Sequence, residues 1–266
     1  MVLFQPPPSD PTPWDVGEQR FAETFLWIVA IIGIIWAFLL IVSYINTRKR
    51  HHLLWGASFS IMWIAFHQVI AAGDYEIMLG PVMSAMLAFI PGLLAAGLLM
   101  VVFSEKKIIG NLYALFVLIM AGLIALFKFD PFYWIADGEE FEILWGLPQV
   151  IGSVPGILVM VLHIPSALLI VILPLYTIIK KQTRWPAIFM TIGGLLFGAV
   201  GLLLVLVTMT PMFDDLLAAT TIDFRFAVMG LFSIFLLVSV LAFSFGTLIP
   251  AKWNFDIPGI EFEDRA

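Results

Sequence analysis

Two histidines, His67 and His163, sit well inside long apolar runs of the chain. An imidazole can ligate a metal through either ring nitrogen, and two imidazoles on facing helices can supply both axial ligands of a b-type haem. Ionisable groups inside a bilayer are costly and usually have a partner. His67 lies fourteen residues past Leu53, roughly 21 Å along a helix at 1.5 Å per residue. His163 lies eight residues past Pro155, roughly 12 Å along its own helix from the opposite side. The two are therefore expected at similar depth, in the outer third of the bilayer. His67 shares a helical face with Ser60, Trp63 and Ile64. His163 shares one with Gly152, Gly156, Met160 and Ser166. Glycines there would admit a second helix or a flat macrocycle. The competing reading is that each imidazole hydrogen-bonds a carbonyl or serine and specifies helix packing, the commoner use of a polar group in a bundle.

A second pattern is Gly193, Gly194, Gly198 and Gly201. The step from Gly194 to Gly198 is a G-x-x-x-G spacing, which lets two helix backbones approach closely. It marks a packing seam, either within the bundle or toward a second chain. Gly92, Ala95, Ala96 and Gly97 form a similar patch. Pro91, Pro165 and Pro174 each remove a helix hydrogen bond. The acidic group Asp137, Glu139, Glu140 and Glu142 lacks the spacing of a calcium loop and reads as a solvated face.

No catalytic residue set emerges. The chain has no H-E-x-x-H, G-x-S-x-G or P-loop, and no carboxylate falls mid-run to carry protons or sodium. There is no cysteine, which removes disulfides, thiolate metal sites and iron–sulfur clusters. The net charge of −6 disfavours nucleic acid as a partner.

The elements that must hold these residues are legible from composition. Of 266 residues 62% are hydrophobic and 12% charged, where a soluble domain is roughly a quarter charged. Seven apolar runs follow one another: Thr24–Ile45, Leu53–Ala72, Met78–Phe103, Ile109–Phe129, Pro155–Ile179, Trp185–Thr210 and Phe226–Pro250. Each meets the length of about 20 residues that a helix needs to cross a bilayer. Ten of the thirteen Lys and Arg fall in alternate connections and the tail, from Arg48, Lys49 and Arg50 through Lys106, Lys107, Lys180, Lys181 and Arg184 to Lys252 and Arg265. Basic residues stay cytoplasmic on insertion, so the N-terminus is expected outside and the C-terminus in the cytoplasm.

The proline-rich stretch 1–23 is expected to be an extended outer tail rather than a cleaved leader, since it has no basic n-region. Residues 24–250 form the membrane domain and 251–266 a short cytoplasmic tail. Within the domain, 130–147 interleaves aromatic residues with acids and reads as an interfacial segment on the outer surface.

The expected fold is an all-α, polytopic bundle of seven transmembrane helices in the cell membrane. The function it points to is a non-enzymatic subunit or scaffold of a larger membrane assembly, with lipid, other membrane subunits or a second copy as partners. Two alternatives stand beside it. One is a haem b electron-transfer subunit ligated by His67 and His163. The other is a seven-helix ligand sensor with an outward-facing pocket near those histidines.

Overall fold

A computed structural model describes residues 18–72, 81–103, 106, 108–128, 154–180, 185–208 and 224–248. The segment 130–147, the acidic group 137–142, Gly152, residues 1–17 of the N-terminal stretch and the C-terminal tail lie outside these residues, while 18–23 belong to the first helix. All the regular structure described is helical. Seven long helices run in order: α1 Glu18–Thr47, α2 Arg50–Ala72, α3 Pro81–Val102, α4 Ile108–Lys128, α5 Val154–Ile179, α6 Ile188–Thr208 and α7 Phe224–Leu248, with a 3-10 turn Trp185–Ala187 leading into α6.

The ends follow local chemistry more than hydropathy. Helix α1 begins six residues before its apolar run, because Glu18, Gln19 and Arg20 are good helix formers. Helix α3 begins on Pro81, where a missing N–H costs nothing and the fixed φ suits the first turn. Between α1 and α2 the chain turns in two residues. Arg48 takes a left-handed conformation, φ 58°, and its N–H donates to the Tyr44 carbonyl at 2.7 Å, closing the last turn of α1.

Five helices, α1 to α5, are long and apolar enough to cross a membrane. Their outward faces agree: Ile31, Ile34, Ile35 and Phe38 on α1 are exposed, Phe38 by 65%, and so are Leu112, Leu115, Leu118 and Ile119 on α4. Continuous apolar surface of this kind cannot face water. It is the surface of a multi-pass membrane protein, in which lipid replaces water around the bundle.

Packing is cyclic. Helix α1 packs on α2, α2 on α3, α3 on α5, α5 on α6, α6 on α7, and α7 returns to α1. Helix α4 stands beside this ring, against α3 and α5. The main buried cluster joins Leu26 and Leu40 of α1, Trp55, Phe59 and Phe66 of α2, Ile90 and Leu94 of α3, and Phe232, Val240 and Phe243 of α7. A second cluster, Ala88, Leu93, Val117, Met120, Ile124 and Leu162, fixes α4.

Candidate functional sites

Helix–helix hydrogen bonds use much of the polar inventory inside the bundle. Between α2 and α3, Trp55 Nε1 donates to the Leu94 carbonyl at 3.1 Å and Ser58 Oγ to the Ile90 carbonyl at 2.9 Å. Between α5 and α6, Thr191 Oγ1 donates to the Val171 carbonyl at 3.0 Å. Between α6 and α7, Ser239 Oγ donates to the Gly193 carbonyl at 2.7 Å. Ser166 Oγ gives its one hydrogen to the Leu162 carbonyl at 2.6 Å. The Tyr113 hydroxyl, 2.9 Å from Ser166 Oγ, must therefore be the donor that ties α4 to α5. Ser166 thus bonds its own helix four residues back, and does not reach the Val161 carbonyl that Pro165 leaves free.

The two intramembrane histidines have separate surroundings. His67 is exposed on the bundle surface. Its ring stacks on Trp63 of its own helix at 6.1 Å between centroids and meets Trp27 of α1 edge-on at 5.7 Å. His163 is half-buried. It stacks on Phe197 of α6 at 5.9 Å. Its Nε2 is buried without a hydrogen-bond partner among the described residues and packs on Gly201, where a Cβ would stand 3.5 Å away. His67 thus belongs to the α1–α2 pair and His163 to the α5–α6 pair. Helix α2 packs chiefly on α1 and α3, and α5 on α3, α4 and α6. This arrangement lends no support to a shared iron. Among the described residues no group of three or more His, Asp or Glu side chains could hold a metal ion.

The four seam glycines divide among three surroundings. A Cβ at Gly193 would strike the Phe243 ring of α7, and one at Gly194 would strike Ile170 of α5, at 2.6 and 2.7 Å. Gly201 faces His163. A Cβ at Gly198, between them, would meet no described residue within 4 Å. The G-x-x-x-G step is therefore tight at one end and open at the other.

A third constellation lies outside the seven apolar runs. His51, His52 and Trp55, on the first turns of α2, are 8%, 0% and 0% exposed. The imidazoles meet edge-to-face at 4.3 Å, and His51 meets Trp55 at 5.1 Å. Thr47 Oγ1 donates to the Ser43 carbonyl at 2.7 Å, so its 3.1 Å contact with His52 Nδ1 must be donated by the histidine. That fixes the Nδ1–H form of the ring and fastens α2 to the end of α1. The signal was present in the sequence: His51 and His52 lie one turn before Trp55, at i−4 and i−3, on a common helical face.

Comparison with protein-family models, curated proteins and solved structures finds no match.

Proposed function

We propose that the chain is a seven-span membrane protein, N-terminus outside and C-terminus cytoplasmic, that serves as a non-enzymatic subunit or scaffold in a larger membrane assembly. The observation that carries the role is the use of interior polar groups. Trp55, Ser58, Tyr113, Thr191 and Ser239 hold neighbouring helices together through the bonds described above. Such bonds hold a bundle in one arrangement, which suits a part whose work is to present lipid-buried faces to partners.

The count of seven is supported by helix length. Helices α6 and α7 have 21 and 25 residues, about 31 and 37 Å at 1.5 Å each, against a hydrocarbon core of about 30 Å. The orientation is supported by Arg48 and Lys49 at the α1–α2 junction, Lys106 before α4 and Lys180 after α5, which fall at alternate connections.

Two measurements test the proposal. Purification in a mild detergent at native expression should yield a stoichiometric complex with another membrane protein or a second copy. A monodisperse single chain, with no partner captured by crosslinking in the intact membrane, would sink the scaffold role. Single cysteines at Thr47 and Thr183 should be shielded from an impermeant thiol reagent in intact cells, and those at Asp74 and Asp215 labelled. The reverse labelling pattern would invert the orientation.

A further inference from the structure

Successive helices of the bundle run antiparallel. Gly56 near the start of α2 lies against Leu40 near the end of α1, Gly110 at the start of α4 against Met100 at the end of α3, and Gly246 at the end of α7 against Met190 at the start of α6. The last turns of α1 and α7 therefore stand at the same end, and the two helices pack on each other. Helix α7 also packs on α6 and on the 3-10 turn Trp185–Ala187 that opens it. So the chain leaves α7, at Leu248, between two basic connections. On one side is Arg48, Lys49 and Arg50; on the other, the connection that begins with Lys180 and ends with Arg184. Arg48, Arg50 and Lys180 are exposed. The described helices place no acidic residue at this end: Glu18 and Glu23 are their only acids, and both belong to the start of α1, at the other end.

We propose that the basic rim at Arg48 and Arg50 is a docking surface for the chain's own C-terminal segment 256–264. Three features select this occupant. The first is charge: the segment carries Asp256, Glu261, Glu263 and Asp264 and no basic residue, while carboxylates meet arginine in paired hydrogen bonds. The second is reach. Glu261 follows Leu248 by thirteen residues, which extend to roughly 45 Å, whereas the axes of packed helices lie only about 8–10 Å apart. The third is tethering. A short covalent link holds the segment at a high effective concentration beside the rim, and the intervening Trp253 and Phe255 favour headgroup depth, the level at which the rim lies. An anionic lipid competes for the same arginines, but it repels an acidic segment and has no tether. Held there, the tail covers the charged surface that an acidic segment of another protein would otherwise meet. Rim and tail share one end of the bundle whichever way the chain is inserted, so the docking is independent of the scaffold role and would stand if that role failed.

The chain has no cysteine, so two introduced cysteines give a clean pair of spin-label sites. Asn46→Cys lies on the last turn of α1 at an exposed position, and Ile260→Cys lies in the tail. The full chain in phosphatidylcholine nanodiscs should show a short, narrow distance between the labels by double electron–electron resonance at low salt. The distance should broaden toward about 1 M KCl, where screening acts over about 3 Å. Glu261→Lys, Glu263→Lys and Asp264→Lys together should abolish the short population and leave the melting temperature unchanged. Adding Arg48→Glu and Arg50→Glu to that tail variant should restore the short population, an outcome that general disruption of the tail would not produce. Where the arginine variants fail to insert, the tail variant and the salt titration decide. A broad distribution at low salt, a short one that survives the tail variant, or failure of an inserted charge swap to restore it would each overturn the proposal. Replacing part of the phosphatidylcholine by phosphatidylglycerol should leave the short distance in place. Its loss would assign the rim to anionic lipid and overturn the proposal as well.

Discussion

The indole of Trp55 occupies the space that a side chain on Gly97 would need. A Cβ built on Gly97 falls on the Trp55 ring, while Trp55 Nε1 donates to the Leu94 carbonyl one turn earlier on the same helix. The glycine and the tryptophan therefore specify one another across α2 and α3, and the close approach brings the hydrogen bond within reach.

Gly97→Ala should destabilise the bundle by about 1–3 kcal/mol, the usual cost of overpacking a filled core. Trp55→Phe, which removes only the N–H and part of the ring, should partly rescue it. Melting in detergent, followed by circular dichroism for both single variants and the double variant, measures the coupling. Additive losses would show that the two residues do not share one space.

Gly193 and Gly198 should respond oppositely to the same substitution. Gly193→Ala drives a methyl into the buried Phe243 ring and should lower melting temperature. Gly198→Ala places one where no described residue lies within 4 Å and should leave it near the wild-type value. Equal losses at both positions would mean that α6 packs along its whole glycine face.

Ser239→Ala and Ser58→Ala each delete a hydrogen bond to a carbonyl of the neighbouring helix. Each should cost about 0.6 kcal/mol and no more than about 1.7 kcal/mol, the measured range for such bonds in a membrane bundle. Reversible unfolding in mixed micelles gives the number. A loss above that range would point to a role beyond packing.

The separate settings of His67 and His163 predict that purified protein, expressed with ample haem, shows no bis-imidazole Soret spectrum. A Soret band abolished by His67→Ala and by His163→Ala alike would show that both rings turn from their tryptophan and phenylalanine partners to a common iron.

The sequence made some of this legible and hid the rest for one physical reason. Seven apolar runs mark seven helices because a span needs its length in apolar residues, and the ends miss by only a few positions. The rotation of each helix is not written in hydropathy. In water, the polar face of a helix identifies its exterior; in lipid, Ile34 on the outside and Leu40 inside α1 are equally apolar. So the outward position of His67 and the turn of His163 toward α6 had no sequence signature. His51 and His52 are hidden in the sequence for a different reason. They follow Arg48, Lys49 and Arg50 directly, and the apolar run starts only at Leu53, whereas the helix starts at Arg50 and carries both imidazoles into the core with Trp55.

The cyclic order of packing also sets a schedule for biogenesis. Helix α1 packs against α7, and α7 is the last of the described helices to leave the ribosome. Throughout synthesis one flank of the first helix waits without its final neighbour, and α3 likewise waits for α5 while α4 is inserted between them in sequence. The newborn chain is therefore an open arc of helices that closes into a ring only once α7 has been made. Membrane quality control that recognises uncovered helix flanks would have that whole interval in which to act, and a stalled or shortened chain lacking α7 would remain in the recognisable form indefinitely.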